Sequence, residues 1–505
     1  MPKNTKFLLK SWIESPINRR SLFGLALTSA LASTSVGRAL GATTPSVNLI
    51  LGRPTKGSIA ISALATEQVK AYIEYGYLKS KYSNKSSAVQ IDPSTPYVFE
   101  INGLKANTRV YYRVSYSNST SSTVINTKQY SFTTPRSKNS TFAFSVQGDT
   151  HPERAGKMFN AELYSVTMAN ILAQQPDFHV LLGDDFSIDP LIDKGQANQL
   201  NVEKIYNTHR NWLSIAGNSV PIFLVNGNHE QAAQYLLDGT ATNPAVLAGN
   251  ARLKYYPLPA PNDFYSGDQT KVDGIGLLRD YYAWEWGDAL FISLDPYWHS
   301  KLAVDNVAGV TADESAADKK NGGKGGGAKV TNLWDVGIGD EQYAWLKKTL
   351  ENSSAKYKFV FAHHVLGTGR GGVEVSTNYE WGGVDPKGKS TFAKERPNWT
   401  LPIHDLMVKN GVSIFFQGHD HIFVHQERDG LVYQSMPNPA DDTFSMFNES
   451  AYLTGTKAPN SGHVRVTIKP AEAKVEYFLA ARASDTARKN LDIAHSYVVK
   501  PGVKK

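Results

Sequence analysis

The 505-residue chain contains no cysteine. That excludes disulfides, thiolate zinc sites, iron–sulfur clusters, a cysteine nucleophile and a lipid anchor on cysteine. Long apolar runs are missing too: no stretch reaches the roughly 20 residues that a membrane-spanning helix requires. Core-forming residues are not scarce, however. Hydrophobic side chains make up 41% of the chain, which excludes wholesale disorder. The length exceeds one ordinary domain and fits two or three. Charge of one sign is in modest excess, 53 Lys+Arg against 46 Asp+Glu, for a formal net charge of +7. Taken alone, that excess would suggest a polyanionic partner.

Most of the excess is local. Residues 1–42 hold Lys3, Lys6, Lys10, Arg19, Arg20 and Arg38 against the single Glu14, five of the seven net charges. Arg19-Arg20 precedes a short, Ser/Thr/Gly-diluted apolar run from Leu22 to Ala32, and small residues around Ala39–Ala42 make a cleavage zone. A charged start, a short apolar run and a small-residue exit form a signal peptide. The paired arginines resemble a twin-arginine signal. The resemblance implies the twin-arginine export machinery as a partner, a folded and metal-loaded cargo, and a periplasmic or secreted protein. The remaining chain is nearly neutral and makes no strong case for nucleic acid.

From 43 to 136 the texture is β: short alternating runs such as Ser58–Ser62, Tyr97–Ile101 and Arg109–Val114 are separated by polar turns, which predicts a β-sandwich. Leu104–Val114 and the closing Phe132-Thr133-Thr134-Pro135 resemble a fibronectin type III-like module, as found ahead of the catalytic domain of purple acid phosphatases. Val110 holds the usual tyrosine-corner position. From 137 to 480 strand-like runs (Phe142–Val146, Phe178–Leu182, Ile222–Val225, Ala289–Leu294, Lys358–Phe361, Val412–Phe416) alternate with helical patterns near 158–175, 196–216, 341–352 and 402–410. That predicts an α/β domain. A Gly/Lys-rich stretch at 308–330 reads as a flexible insertion, and 481–505 as a C-terminal tail.

Five of the strand candidates are followed at once by polar motifs. They are Gly148-Asp149-Thr150-His151, Gly183-Asp184-Asp185, Gly227-Asn228-His229-Glu230, His363-His364 and Gly418-His419-Asp420-His421. Sites in α/β sheets form outside the carboxyl ends of the strands. Each motif alone is weak or moderate evidence; five in order are not a coincidence of core histidines. Imidazole and carboxylate without thiolate suit Mn, Fe or Zn. Seven donors are too many for one tetrahedral ion and suit two divalent or trivalent ions sharing a carboxylate.

These motifs resemble those of the calcineurin-like metallophosphoesterase superfamily: D-x-H, G-D, G-N-H-[DE], a lone H and G-H-x-H. The resemblance implies a two-sheet αββα sandwich and hydrolysis of phosphoric esters by a hydroxide between two metals. It implies that Asp149, His151 and His421 hold one metal, that Asn228, His363 and His419 hold the other, and that Asp184 bridges them. His229 would serve the leaving group as the catalytic residue, and Glu230 would orient it. His363 is preferred to its neighbour His364, and Asp185 is either a supporting acceptor or a helix cap. Arg154 and Arg370 are candidates for phosphate contact. Tyr379-Glu380-Trp381 is a candidate rim of the cleft. Purple acid phosphatases lack the D-x-H histidine and use a tyrosine three residues after the bridging aspartate. Here His151 is present and Ser187 occupies the tyrosine position, so no tyrosinate-to-iron colour is expected.

The leading expectation is therefore an exported binuclear phosphatase or phosphodiesterase acting on a small phosphoric ester. The competing expectations are a nuclease or nucleotide-directed phosphoesterase, and a non-catalytic envelope protein on the same fold.

Overall fold

The computed structural model describes residues 46–118, 123–230, 237–301, 333–365, 370–385 and 387–504. The expected signal, 1–42, and the whole of the expected insertion at 308–330 lie outside them. No helix among the described residues is long and apolar enough to cross a membrane.

Two antiparallel sheets occupy residues 47–133. One is three-stranded, in the order Val47–Thr55, Ser58–Ala65, Tyr97–Asn102. The other is built on Val69–Gly76 and Arg109–Asn118. Alternating side chains of both, among them Leu49, Leu51, Ile61, Ile73, Val110, Tyr112 and Val114, share one buried cluster. The period of two puts every second residue inward.

The rest is four layers. A six-stranded sheet runs in the order Ile222–Leu224, Phe178–Leu181, Phe142–Gln147, Gly462–Lys469, Glu472–Leu479, Ile493–Val499. An eight-stranded sheet is centred on Ala289–Ser293, Tyr357–Phe361, Ile414–Gln417 and Leu431–Ser435. The two face each other across one aromatic core that includes Phe144, Phe178, Trp284, Trp286, Phe291, Phe361 and Phe416. Helices Ala161–Gln174, Gln199–Gly217 and Pro244–Tyr255 cover the outer face of the first sheet, and Gly339–Asn352 and Ile403–Lys409 cover that of the second. Strands covered on both faces need apolar residues at nearly every position, which is why the sequence runs there are continuous.

Three features differ from the sequence reading. Residues 481–505 do not end as a tail: Ile493–Val499 pairs antiparallel with Glu472–Leu479 and completes the sheet. Helix Pro244–Tyr255 had no clear apolar stripe, because its buried residues span most of its circumference; its signal was the cap Asn243 followed by Pro244. Tyr379–Gly382 is a short helix packed inside, not a rim: Trp381 is fully buried and its indole donates to the Tyr433 hydroxyl at 2.9 Å.

Candidate metal centre

The five motifs meet at one edge of the apposed sheets. The inner strands Phe142–Gln147, Phe178–Leu181 and Ile222–Leu224 are parallel, as are Tyr357–Phe361 and Ile414–Gln417, so their carboxyl ends deliver loops to common ground. Two glycines allow the closest approach. A Cβ on Gly183, whose φ is +96°, would lie 2.3 Å from the Gly227 nitrogen, and one on Gly227 would lie 2.2 Å from Asp184 Oδ1. Asp184, His151, His419 and His421 themselves adopt positive φ (59°, 47°, 67° and 52°). Such conformations cost roughly 1–2 kcal/mol per residue and persist where surrounding contacts fix them, characteristically at functional sites.

Asp149 is fully buried; its Oδ1 accepts the His419 main-chain N–H at 2.8 Å, while Oδ2 lies 2.9 Å from His421 Nε2 and 3.8 Å from Nε2 of both His151 and His363. Asp184 Oδ2 lies 3.0 Å from His363 Nε2 and 3.5 Å from His151 Nε2. His419 Nδ1 and His363 Nε2 are 3.2 Å apart. Two triads, Asp149–His151–His421 and Asp184–His363–His419, thus each place their ligand atoms within 4.8 Å of one another. Asn228 is buried next to Gly227, which abuts Asp184.

Outer partners hold the rings in place. His363 Nδ1 donates to the Leu182 carbonyl at 2.7 Å, and His151 Nδ1 faces Glu153 Oε1 at 2.7 Å, so both rings turn Nε2 inward. Burial drives His151 and His419 well below the ordinary imidazole range, which keeps both neutral, the state in which an imidazole can bind a metal. His363 goes the other way: burial opposes its charge, but Asp184 and Asp149 outweigh it and raise the group to about 10. Converging carboxylates that demand a positive charge at this point are the electrostatic signature of a cation site, and the all-N/O donor set fits Mn, Fe or Zn.

His229 and Glu230 take partners other than those the resemblance implies. Glu230 does not orient His229. Its carboxylate accepts main-chain N–H groups from Asp184 (2.8 Å), Phe186 (3.0 Å), Gly227 (2.7 Å) and Asp185, and so clamps the second and third strand exits together. His229 is oriented by Asp189, whose Oδ2 makes a short contact with Nδ1. Burial alone would lower His229; the charge of Asp184 and the bond to Asp189 raise it to about 9. Asp189 opens helix Asp189–Asp193 ahead of Pro190, a helix-start signal that hid its other use. Glu153 was missed as well; its signal was only its spacing, two residues past His151.

The remaining candidates separate clearly. Asp185 points away from the ligands and accepts from the Thr150 hydroxyl at 2.7 Å; it caps no helix. His364 bonds the Tyr297 hydroxyl at 2.8 Å through Nδ1 and stands outside both triads. Arg370 donates to the His419 carbonyl (2.6 Å) and to Asp420 (3.1 Å), which braces the Gly418–His421 loop. Arg154 is placed differently, with Nη2 3.2 Å from His229 Nε2. A cavity of about 460 Å³, lined by Glu153, Asp185, Ser187, Leu191, Lys204 and Trp212, lies beside the cluster; no residue of either triad borders it.

Two apposed mixed sheets flanked by helices, with Asp and His side chains clustered at their strand exits, define the metallophosphoesterase class. The calcineurin-like phosphoesterase model matches residues 143–423, more than half of the chain, and the chain belongs to that family. It is a phosphoesterase enzyme. Among solved structures, that of PhoD is similar with a TM-score of 0.59 over 90% of each chain, at 16% identity. The purple acid phosphatase PPD1 from yellow lupin (Lupinus luteus) seeds is similar with a TM-score of 0.54, over 90% of this chain and 74% of that one, at 15% identity. At such identities the likeness is one of fold. No curated protein matches the chain in sequence.

Proposed function

We propose that this chain is an exported hydrolase of small phosphoric esters that works with two cations. Asp149, His151 and His421 would hold one, Asn228, His363 and His419 the other, and Asp184 both. The observation that carries this reading is the pair of triads meeting at Asp184, whose Oδ2 lies within 3.5 Å of an imidazole nitrogen from each. When bound, two adjacent cations neutralise phosphoryl charge and bring the pKa of water toward neutrality.

The protein's own groups do the rest. His229 turns Nε2 toward the cluster, where a protonated ring would serve the departing ester oxygen, and Asp189 fixes the ring from behind through Nδ1. Arg154 places its guanidinium beside that nitrogen, where a phosphoryl oxygen would meet both groups. Glu153, bonded to His151 Nδ1, would keep that residue's tautomer. The two sheets of residues 47–133 are read as a fibronectin type III-like sandwich, supported by their two-sheet antiparallel order. Export is supported by Arg19-Arg20 ahead of the short apolar run.

The test is hydrolysis of p-nitrophenyl phosphate and its bis ester, with Mn, Zn or Fe supplied separately, by wild type and by Asp184→Ala and His421→Ala. Loss of a ligand should lower kcat/KM at least about 10³-fold, the several kcal/mol that metal stabilisation supplies. Wild type inert on both esters with every metal, or variants of undiminished rate, would sink the reading.

A further inference from the structure

A second cluster of metal-ligating side chains lies outside the catalytic edge. Ser266–Gly267 pairs antiparallel with Tyr282–Ala283 at the margin of the eight-stranded sheet, and the ladder continues with the Asp268 N–H donating to the Tyr281 carbonyl at 3.0 Å. The ladder therefore brings Asp268 and Asp280 together. His299 arrives from the turn after Ala289–Ser293, and its Nε2 lies 2.7 Å from Asp280 Oδ2. Ligand atoms of the three residues lie within 4.8 Å of one another.

Asp268 and Asp280 are 1% and 0% exposed. Asp268 Oδ1 accepts the Thr270 N–H at 2.9 Å, and Asp280 Oδ2 faces His299. The other oxygen of each, Asp268 Oδ2 and Asp280 Oδ1, is buried with no hydrogen-bond donor. Two buried carboxylates side by side, each with a bare oxygen, are costly unless a positive charge joins them. A protonated His299, paired with Asp280, offsets one of the two charges; the one that remains is met by a proton shared between the aspartates or by a cation in place of both protons. A cation about 2.0–2.2 Å from carboxylate oxygen and imidazole nitrogen needs its ligands about 3–4.4 Å apart; the three ligand atoms already lie within 4.8 Å of one another, and the 2.7 Å His299–Asp280 contact would open slightly to admit it. His299 also borders a solvent-facing cleft of about 430 Å³, lined by Asp335, Gly339 and Asp340, which supplies an entry path.

We propose that Asp268, Asp280 and His299 form a third, structural cation site, separate from the catalytic triads, that takes a divalent ion of the Mn or Zn class. Two carboxylates and one imidazole favour those ions over Ca²⁺, which prefers oxygen alone. The site pins the edge of the sheet to the turn 295–299. In that turn Asp295 accepts from Asn226, two residues before Asn228, and Tyr297 holds His364.

The test is to strip the purified full chain with chelator, reload it with Mn²⁺ or Zn²⁺, desalt it and count metal per chain, alongside thermal unfolding. Asp268→Asn mimics the protonated acid and should fold under either explanation. The expected result is one ion fewer in D268N and in H299A than in wild type, and loss of part of the metal-dependent rise in Tm. Asp184→Ala should keep the site. Because the count is read relative to wild type, it holds whatever the catalytic pair binds. Equal metal in wild type and D268N, with D268N melting at or above wild type, would mean that the two aspartates share a proton and would overturn the proposal.

Discussion

Asp189 is the residue on which the orientation of His229 depends. It is the carboxylate paired with Nδ1, and together with Asp184 it keeps the ring protonated against burial. If His229 is the proton donor proposed above, Asp189→Asn should lower kcat about 10–10²-fold with little change in KM, because the ring loses its tautomer and part of its raised pKa while the Asp/His cluster stays in place. The sign of the pH effect follows: with one negative charge gone, the His229 pKa falls, so the alkaline limb of the kcat profile moves to lower pH. Unchanged kcat and an unmoved limb in steady-state kinetics would remove Asp189 from this role. The contrast with Glu230 is instructive. Adjacent in sequence to His229, it was the natural guess for the orienting acid, yet its carboxylate is consumed by four main-chain donors. A strand-exit turn reverses the chain within two residues, so neighbours in sequence point to different neighbours in space.

At the scale of elements, the strand exits work because their loops are tied together. Burial and the Asp184 charge raise the Glu230 carboxyl above its usual range, and the donors from two loops oppose that rise. Glu230→Gln turns an NH₂ toward N–H donors and strands at least one of them. The expected cost is about 2–4 kcal/mol in chemical denaturation, with a parallel fall in kcat as the Asp184 and Asn228 loops loosen. A variant of wild-type stability would show that the clamp is dispensable. The inner strands and long helices were legible because burial on both faces or on one stripe leaves a periodic trace, as at Phe142–Gln147 and Gln199–Gly217. Helix Pro244–Tyr255, buried around most of its circumference, leaves no stripe. The strand Ile493–Val499 alternates half-buried and exposed residues at a sheet margin, so its sequence resembles a tail.

At the scale of the whole molecule, the β-rich residues 47–133 are bonded to the catalytic layers and do not hang from them. Ile50 and Leu64 join the cluster of helix Gln199–Gly217, and the Tyr112 hydroxyl donates to the Asn218 carbonyl at 2.6 Å. Arg210, fully buried, donates to the Ser62 hydroxyl (2.9 Å) and carbonyl (3.0 Å), to Asn48 Oδ1 (3.2 Å) and to the Tyr255 carbonyl. Arg210→Met should therefore cost about 2–4 kcal/mol through stranded acceptors. It should also split one unfolding transition into two as the parts uncouple; a single unshifted transition would refute the coupling. No sequence motif announced this junction, because the bonds that reach from residues 48, 62 and 112 to the helix Gln199–Gly217 and its cap join groups more than a hundred residues apart. The sequence by itself determined the chemistry: with no cysteine, and with Asp, Asn and His at five glycine-marked strand exits, the donors are hard and nitrogenous and their order in the chain is the family's. Those are local properties, carried by short motifs. Only the tertiary structure decided who serves whom: Asp189 for His229, Glu230 for the loops, Arg370 for the His419 turn, and Asp268 with Asp280 and His299. Such partnerships depend on sheet register and loop direction, which long-range packing sets and no local pattern encodes.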